Sequence, residues 1–199
     1  MSGRPGKARA GFVRGAMESF DYRNLALAEN YIFSEVGPKF RETKKIDPLD
    51  FYIILNWKAS RARTKAFHRL RKKSQSFKRA VEEISNSLAS SSENEERLKI
   101  LMCDWKFRLP TATAILSVLY EDDFTIYDRR VCGVLNFKQF VPDFSDKNWP
   151  RIWDVYQAFL KVVREKTPSE LSLRDKDRYL WGKSVYQDLQ SELEKDLES

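Results

Sequence analysis

The sequence predicts an all-α fold, and three observations carry that prediction. Apolar residues recur at helical spacing along most of the chain, in runs too long for strands. The short alternating segments and dense turn residues of a sandwich or barrel are missing, with only 7 Gly and 7 Pro among 199 residues. Hydrophobic residues make up 42% and aromatic ones 13%, enough for a substantial core and against global disorder. We expect a bilobal helical fold with a helix-hairpin-helix unit: a mobile segment over 1–18, then a single helical domain over 19–199. Its central lobe spans about 47–135, and a second lobe is built from about 19–46 and 136–199.

Each element follows from local pattern. Residues 1–18 are rich in Gly and Arg and lack periodicity. From Tyr22 onward, Leu25, Leu27, Ala28, Tyr31, Ile32 and Phe33 outline a first helix that stops near Gly37-Pro38. Asp47-Pro48 is a cap followed by proline in the first turn. The Leu49, Phe51, Tyr52, Ile53, Ile54 and Leu55 run behind it leaves almost no polar face, so this helix is expected to be central and buried. Phe77, Val81, Ile84 and Leu88 mark an amphipathic helix, and Ser85 to Ser92 a polar linker.

Ser92 and Glu95 form a capping box ahead of Leu98, Leu101, Met102 and Trp105. That helix cannot pass through Lys106-Phe107-Arg108-Leu109-Pro110, because proline disfavours helical geometry at the residue before it and is comfortable only in a first turn. A second helix therefore begins near Pro110, where Thr111-Ala112-Thr113-Ala114 supply small side chains beside Ile115, Leu116 and Leu119. The product is two helices joined by a tight basic hairpin. Phe124, Ile126 and Tyr127 anchor a short extended connection, and Asp128 stands at the N-cap of a helix holding Val131, Val134 and Leu135.

Asn136 to Pro150, with Phe137, Phe140, Val141 and Phe144, reads as a packed loop. Ile152, Trp153, Tyr156, Phe159, Leu160 and Val163 make an amphipathic helix, and Thr167-Pro168 caps the region of Leu171, Leu173, Tyr179, Leu180 and Trp181. Tyr186, Leu189, Leu193 and Leu197 end the chain in a helix. We expect these aromatic stripes to be core, and the alternating Arg174, Asp175, Asp177 and Arg178 to pair within one helix.

The charge is unevenly placed. Trp57 to Arg79 holds ten Lys or Arg and no Asp or Glu, which leaves 26 basic residues against 29 acidic ones elsewhere, although the whole chain is +7. A concentrated positive stretch on a slightly acidic body suits a phosphate backbone, where each neutralised phosphate releases condensed counterions. No apolar run reaches the length of a membrane span, and Met1 to Lys7 precede no signal-type apolar core, so we expect a protein inside the cell, in cytoplasm, nucleoid or nucleus. Cys103 and Cys132 are too few for a disulfide scaffold or a four-cysteine iron-sulfur cluster and are expected to be buried thiols. The single histidine, His68, makes a histidine-based zinc site implausible and should be exposed or face a phosphate. No metal or other cofactor is expected.

Leu109-Pro110-Thr111-Ala112-Thr113-Ala114-Ile115-Leu116, followed by Ile126-Tyr127-Asp128, resembles the helix-hairpin-helix and catalytic-aspartate signature of the endonuclease III-like DNA glycosylase superfamily. Trp57-Lys58-Ala59-Ser60-Arg61 and Leu173-Arg174-Asp175-Lys176-Asp177-Arg178-Tyr179-Leu180-Trp181 are similar to a little-characterised branch of it, so the likeness covers roughly Leu49 to Trp181. The resemblance implies a divergent member without an iron-sulfur cluster, with duplex DNA as partner. Asp128 would then be the catalytic carboxylate, with Lys58, Arg61, Arg63, Lys65 and Arg69 on the basic stretch and Lys106, Arg108 and Thr111 at the hairpin holding phosphates. Where the family hairpin carries glycines this chain has Lys106-Phe107-Arg108, and where bifunctional members place a Schiff-base lysine it has Leu109 or Pro110. That pattern implies base hydrolysis without lyase activity.

A carboxylate such as Asp128 could stabilise the oxocarbenium-like sugar and orient water. As a helix cap alone it would contribute about 1 kcal/mol with no chemistry attached. Tyr52, Trp57, Phe107 and Tyr127 are the aromatics available to fill the gap left by an extruded base. The expected function is therefore a DNA-binding protein of this glycosylase type. The alternatives are a non-catalytic nucleic-acid-binding module of the same fold or a helical protein-interaction domain, and neither substrate base nor oligomeric state is specified by sequence.

Overall fold

The computed structural model describes residues 21–138 and 148–197; the expected mobile segment 1–18 and residues 139–147 of the expected loop lie outside them. Over the described residues the chain is all-α, with no strand. In order run α1 (Arg23–Ala26), α2 (Ala28–Tyr31) continuing as the π-helical Ile32–Val36, α3 (Gly37–Thr43), α4 (Pro48–Ala59), α5 (Arg63–Lys73) and α6 (Phe77–Ser90). Then follow α7 (Asn94–Lys99) with a π-helical extension Ile100–Asp104, α8 (Leu109–Leu119), α9 (Arg129–Val134), α10 (Trp149–Glu165) and α11 (Leu173–Leu197). No described helix is long and apolar enough to cross a membrane.

One hydrophobic cluster, running in sequence from Ile32 to Leu180, draws on both expected lobes. At its centre lies α4, capped by the Asp47 carboxylate accepting from Leu49 N–H at 2.8 Å and burying Phe51, Ile53, Ile54 and Leu55. Against it packs α8, whose residues from Ala112 to Leu119 are all buried. The approach of α3 to α8 is closer still: a Cβ on Gly37 would lie 2.4 Å from the Val118 carbonyl oxygen, so only glycine fits there. Leu98, Leu101, Met102 and Trp105 are buried as their spacing predicts, and Cys103 and Cys132 are buried free thiols.

Several boundaries differ from the sequence expectation. Gly37-Pro38 does not stop the first helical stretch, because the wider i→i+5 turns of Ile32–Val36 accommodate the proline ring, and the helix ends only where Lys44 turns left-handed at φ 59°. The Ser92/Glu95 capping box does not form: α7 starts at Asn94 without a side-chain cap, while Glu95 accepts the Trp149 indole N–H at 2.7 Å. Ser85 to Ser90 belong to α6 rather than to a linker; Ser85 is buried and accepts from Ile46 N–H at 3.1 Å. The loop after α9 ends at Asn148, because Trp149 and Pro150 open α10. Tyr179, Trp181, Tyr186, Leu189 and Leu193 on α11 are exposed and are not core.

The segment from Phe124 to Tyr127 belongs to no helix and is fully enclosed, so its backbone must find partners inside the protein. Side chains supply them. The Tyr156 hydroxyl accepts from Thr125 N–H at 3.1 Å and donates to the Thr125 carbonyl at 3.0 Å. Two residues on, Thr113 Oγ1 accepts from Tyr127 N–H at 3.0 Å while donating to the Leu109 carbonyl at 2.8 Å. This clamp from α10 and α8 sets the position of Asp128. Thr113→Val keeps the shape but orphans the Tyr127 amide, and Tyr156→Phe orphans both Thr125 groups. Each should cost about 1–3 kcal/mol in denaturant unfolding; a midpoint unchanged in both would remove the clamp from the account.

Candidate functional site

A cavity of about 600 Å³ opens where α2, α4, α11 and the start of α9 meet, lined by Glu29, Trp57, Lys58, Ile126, Asp128, Arg174, Asp177, Arg178, Trp181 and Gly182. Its volume is of the size that takes a small organic ligand, roughly 300–1,000 Å³. Trp57, Lys58, Asp128 and the Arg174-to-Trp181 segment, distant in sequence, thus share one wall-to-wall space.

Asp128 caps α9 as its position predicts, Oδ1 accepting from Arg130 N–H at 2.8 Å. Its Oδ2 accepts from Lys58 Nζ at 2.6 Å, with both side chains about four-fifths buried at 19% and 23% exposure. Burial alone would push this carboxyl up, but the Lys58 ammonium and the Arg130 amide overcome it and hold the value below the ordinary 3.8. Asp128 is therefore an ionised carboxylate facing a cavity.

Asp177 is its opposite. It is only 6% exposed, with Oδ2 accepting from Arg174 at 2.5 Å, and burial pushes its carboxyl up to about 6 in spite of Arg174 and Lys58. Arg174 also pairs with Glu29, lies 4.2 Å over the Phe33 ring and 5.6 Å from the Trp57 ring centre, and is itself 10% exposed. Arg178 reaches the same Glu29 oxygen at 2.9 Å and Asp175 at 3.4 Å. The expected pairing within one helix is present for Arg174 with Asp177 and for Arg178 with Asp175, but Glu29 ties the same two arginines across to α2. Glu29, Arg174, Asp177 and Trp181 were not foreseen as cavity residues: the resemblance of the 173–181 stretch gave these residues no role, and local pairing accounted for the alternating charges of α11.

The basic stretch divides by structure. Lys58 turns into the cavity, and Lys78 and Arg79 pair with Glu82 and Glu83 on their own helix. Arg61, Lys65, Arg71 and Lys72 are exposed, and Arg63 donates to the Ser60 carbonyl at 2.7 Å. Arg69 lies over the Phe107 ring at 5.2 Å, and Lys73 sits 4.2 Å over Trp105 while donating to the Asp104 carbonyl. Thus α5 is docked on the turn between α7 and α8, beside exposed Lys106 and Arg108. His68 is exposed.

Within the 105–108 turn, Phe107 N–H closes onto the Leu101 carbonyl at 2.9 Å and Lys106 adopts φ 55°, the left-handed conformation that glycine takes most easily. Thr111, which the resemblance sets among the phosphate contacts, has its N–H bonded to the Arg108 carbonyl at 2.9 Å, while Pro110 has no N–H and Leu109 is buried. Of the aromatics considered for filling a gap, Phe107 and Tyr127 are buried and Tyr52 is packed on Phe67 and Phe77, which leaves Trp57 at the cavity.

The Lys58–Asp128 pair makes a testable electrostatic statement. In Lys58→Met the burial of Asp128 is opposed mainly by Arg130, and its pKa should rise from the wild-type value in a carboxyl NMR titration; an unchanged value would mean that Lys58 does not hold the charge. The sign for stability follows: a depressed folded pKa contributes stability above the unfolded value that is lost as pH falls through the folded one, so the variant should also lose that acid-limb dependence.

No family model matches the chain, and no curated protein or solved structure matches it, so the site is described by its own geometry.

Proposed function

We propose that this is a duplex-DNA-binding protein of the helix-hairpin-helix DNA glycosylase type, hydrolysing the N-glycosidic bond of an extruded base through Asp128 and without lyase chemistry. The observation that carries the reading is convergence. Three of the four stretches that resemble the superfamily, at Trp57–Arg61, at Ile126–Asp128 and at Leu173–Trp181, contribute to one cavity that an ionised carboxylate faces, while the fourth, Leu109–Leu116, does not line it. A lesion-bearing base needs a pocket of this size, aromatic faces to lie against, which Trp57 and Trp181 offer, and a negative charge close to the sugar as positive charge develops on it.

The basic face supports the same reading by its dimensions. The 11 residues of α5 extend about 16 Å, close to five phosphates at about 3.4 Å rise per strand. One end of α5 follows the cavity residue Lys58 and the other lies against the hairpin with Lys106 and Arg108, so one backbone could be followed from hairpin to cavity. With the Thr111 amide engaged, these side chains carry the phosphate contacts rather than a bare helix terminus. One observation favours the non-catalytic binding module instead: Asp128 already accepts from Lys58 and from Arg130 N–H, a satisfied capping arrangement that asks for no chemistry.

Two measurements separate these readings. Replacing Arg61, Lys65 and Arg69 together by Ala should flatten the salt dependence of duplex affinity by a slope of about 2–3, since each neutralised phosphate contributes about 0.9; an unchanged slope removes α5 from the interface. On duplexes carrying alkylated, deaminated or oxidised bases, wild-type protein should leave an intact abasic strand that breaks only on alkali or heat, with no borohydride-trapped adduct. Asp128→Asn should abolish release while binding changes by only a small factor. Tight binding with no base released across the panel favours the binding module.

A further inference from the structure

We propose that Asp177 is a second catalytic carboxyl of this site, the general acid that protonates the departing base while Asp128 takes up the proton of the attacking water. The inference rests on reading the cavity as a base-hydrolysing pocket and deepens it. In the step, the C1′–N bond breaks and its electron pair goes to the base nitrogen, which receives the Asp177 proton. Water oxygen bonds to C1′, and its proton passes to the Asp128 carboxylate. Asp177 ends ionised and Asp128 protonated, and exchange with solvent restores both.

Geometry assigns the two roles to different residues. Asp177 and Trp181 are four apart on α11, hence on one helix face, and both line the cavity. Arg174 holds one Asp177 oxygen, and the other makes no hydrogen bond to a described residue, leaving it available to a ligand. Asp128 cannot play this part, because an ammonium and a backbone N–H both favour its charged form.

The groups facing Asp177 are Arg174 on its own helix, Lys58 from α4, Asp128 at the cap of α9 and Glu29 from α2, two of each sign. Arg174 and Lys58 pull the carboxyl down more than Asp128 and Glu29 raise it, but burial is the largest influence, and the carboxyl is pushed up to about 6. A base closing over it excludes water and favours the protonated form further. Two carboxyls whose environments drive them apart are the usual arrangement for an acid and a base working together.

Leaving-group charge supplies the test. A neutral base departs as an anion unless it is protonated, whereas N7-methylguanine is already cationic and departs neutral. Single-turnover release would be measured from duplexes carrying hypoxanthine, uracil, 8-oxoguanine or N7-methylguanine, from pH 5 to 8. For a neutral base, wild-type rates should fall as pH rises beyond about 6, and Asp177→Asn should lose that falling limb with a drop of about 10²–10³. On N7-methylguanine the same substitution should cost less than about tenfold.

Equal losses on neutral and cationic bases overturn the acid role and leave the role of Asp128 standing. So does a wild-type profile flat from pH 5 to 8 on a neutral base, which needs no variant to fold, or release confined to N7-methylguanine. Wild-type protein that binds these duplexes and releases no base overturns the hydrolytic reading and this proposal with it.

Discussion

A buried stretch of irregular chain between helices has to satisfy its backbone without a helix or sheet, and here that requirement organises the site. Thr125 and Tyr127 cannot reach water, and each unsatisfied amide or carbonyl would cost about 1–3 kcal/mol. Tyr156 from α10 and Thr113 from α8 meet the need with two hydroxyls. Because Thr113 also bonds the Leu109 carbonyl at the start of α8, the segment is fixed to the helix that follows the hairpin. Asp128 is thereby delivered to a cavity whose opposite wall belongs to α11, and its distance from the hairpin is set by packed helices rather than by a loop.

Once Asp128 is there, environment divides the labour among the charges. Three acids and three bases line the cavity, so its net charge is near zero, yet they are not equivalent. Lys58 and an amide keep Asp128 ionised, whereas Asp177 is buried deeply enough for desolvation to prevail over its arginine. Ion pairs this buried add little net stability once desolvation is counted, so their persistence on three different helices is better explained by what they hold in position. Arg174 illustrates this, stacked on Phe33 and tied to both Glu29 and Asp177, which makes it a hub joining α2, α4 and α11.

What was legible in the sequence was local. Asp47 and Asp128 are recognisable caps because a cap is decided within three residues, and both accept the amide two residues on. The helices on either side of the 105–108 turn and the buried stripe of α7 follow from periodicity in the same way. Where a local signal met a distant partner it misled: Glu95 bonds Trp149, 54 residues away, instead of closing a capping box. Gly37-Pro38 reads as a stop, but the close approach to Val118 and the π-helical turns ahead of it explain why the chain stays helical. Thr113 looked merely small, and Glu29 gave no signal at all, since its arginines lie 145 and 149 residues along the chain. No spacing rule reports a contact of that kind.

The proposed role of Asp128, a charge directed at a cationic sugar in DNA, can be tested without knowing the substrate base. Affinity would be compared for two duplexes that differ at one position, a protonated pyrrolidine abasic mimic against neutral tetrahydrofuran. The account predicts that wild-type protein prefers the cationic mimic by about 10²-fold or more, and that Asp128→Asn abolishes the preference while binding the neutral duplex as before. Equal affinity of the wild-type protein for the two duplexes would contradict it.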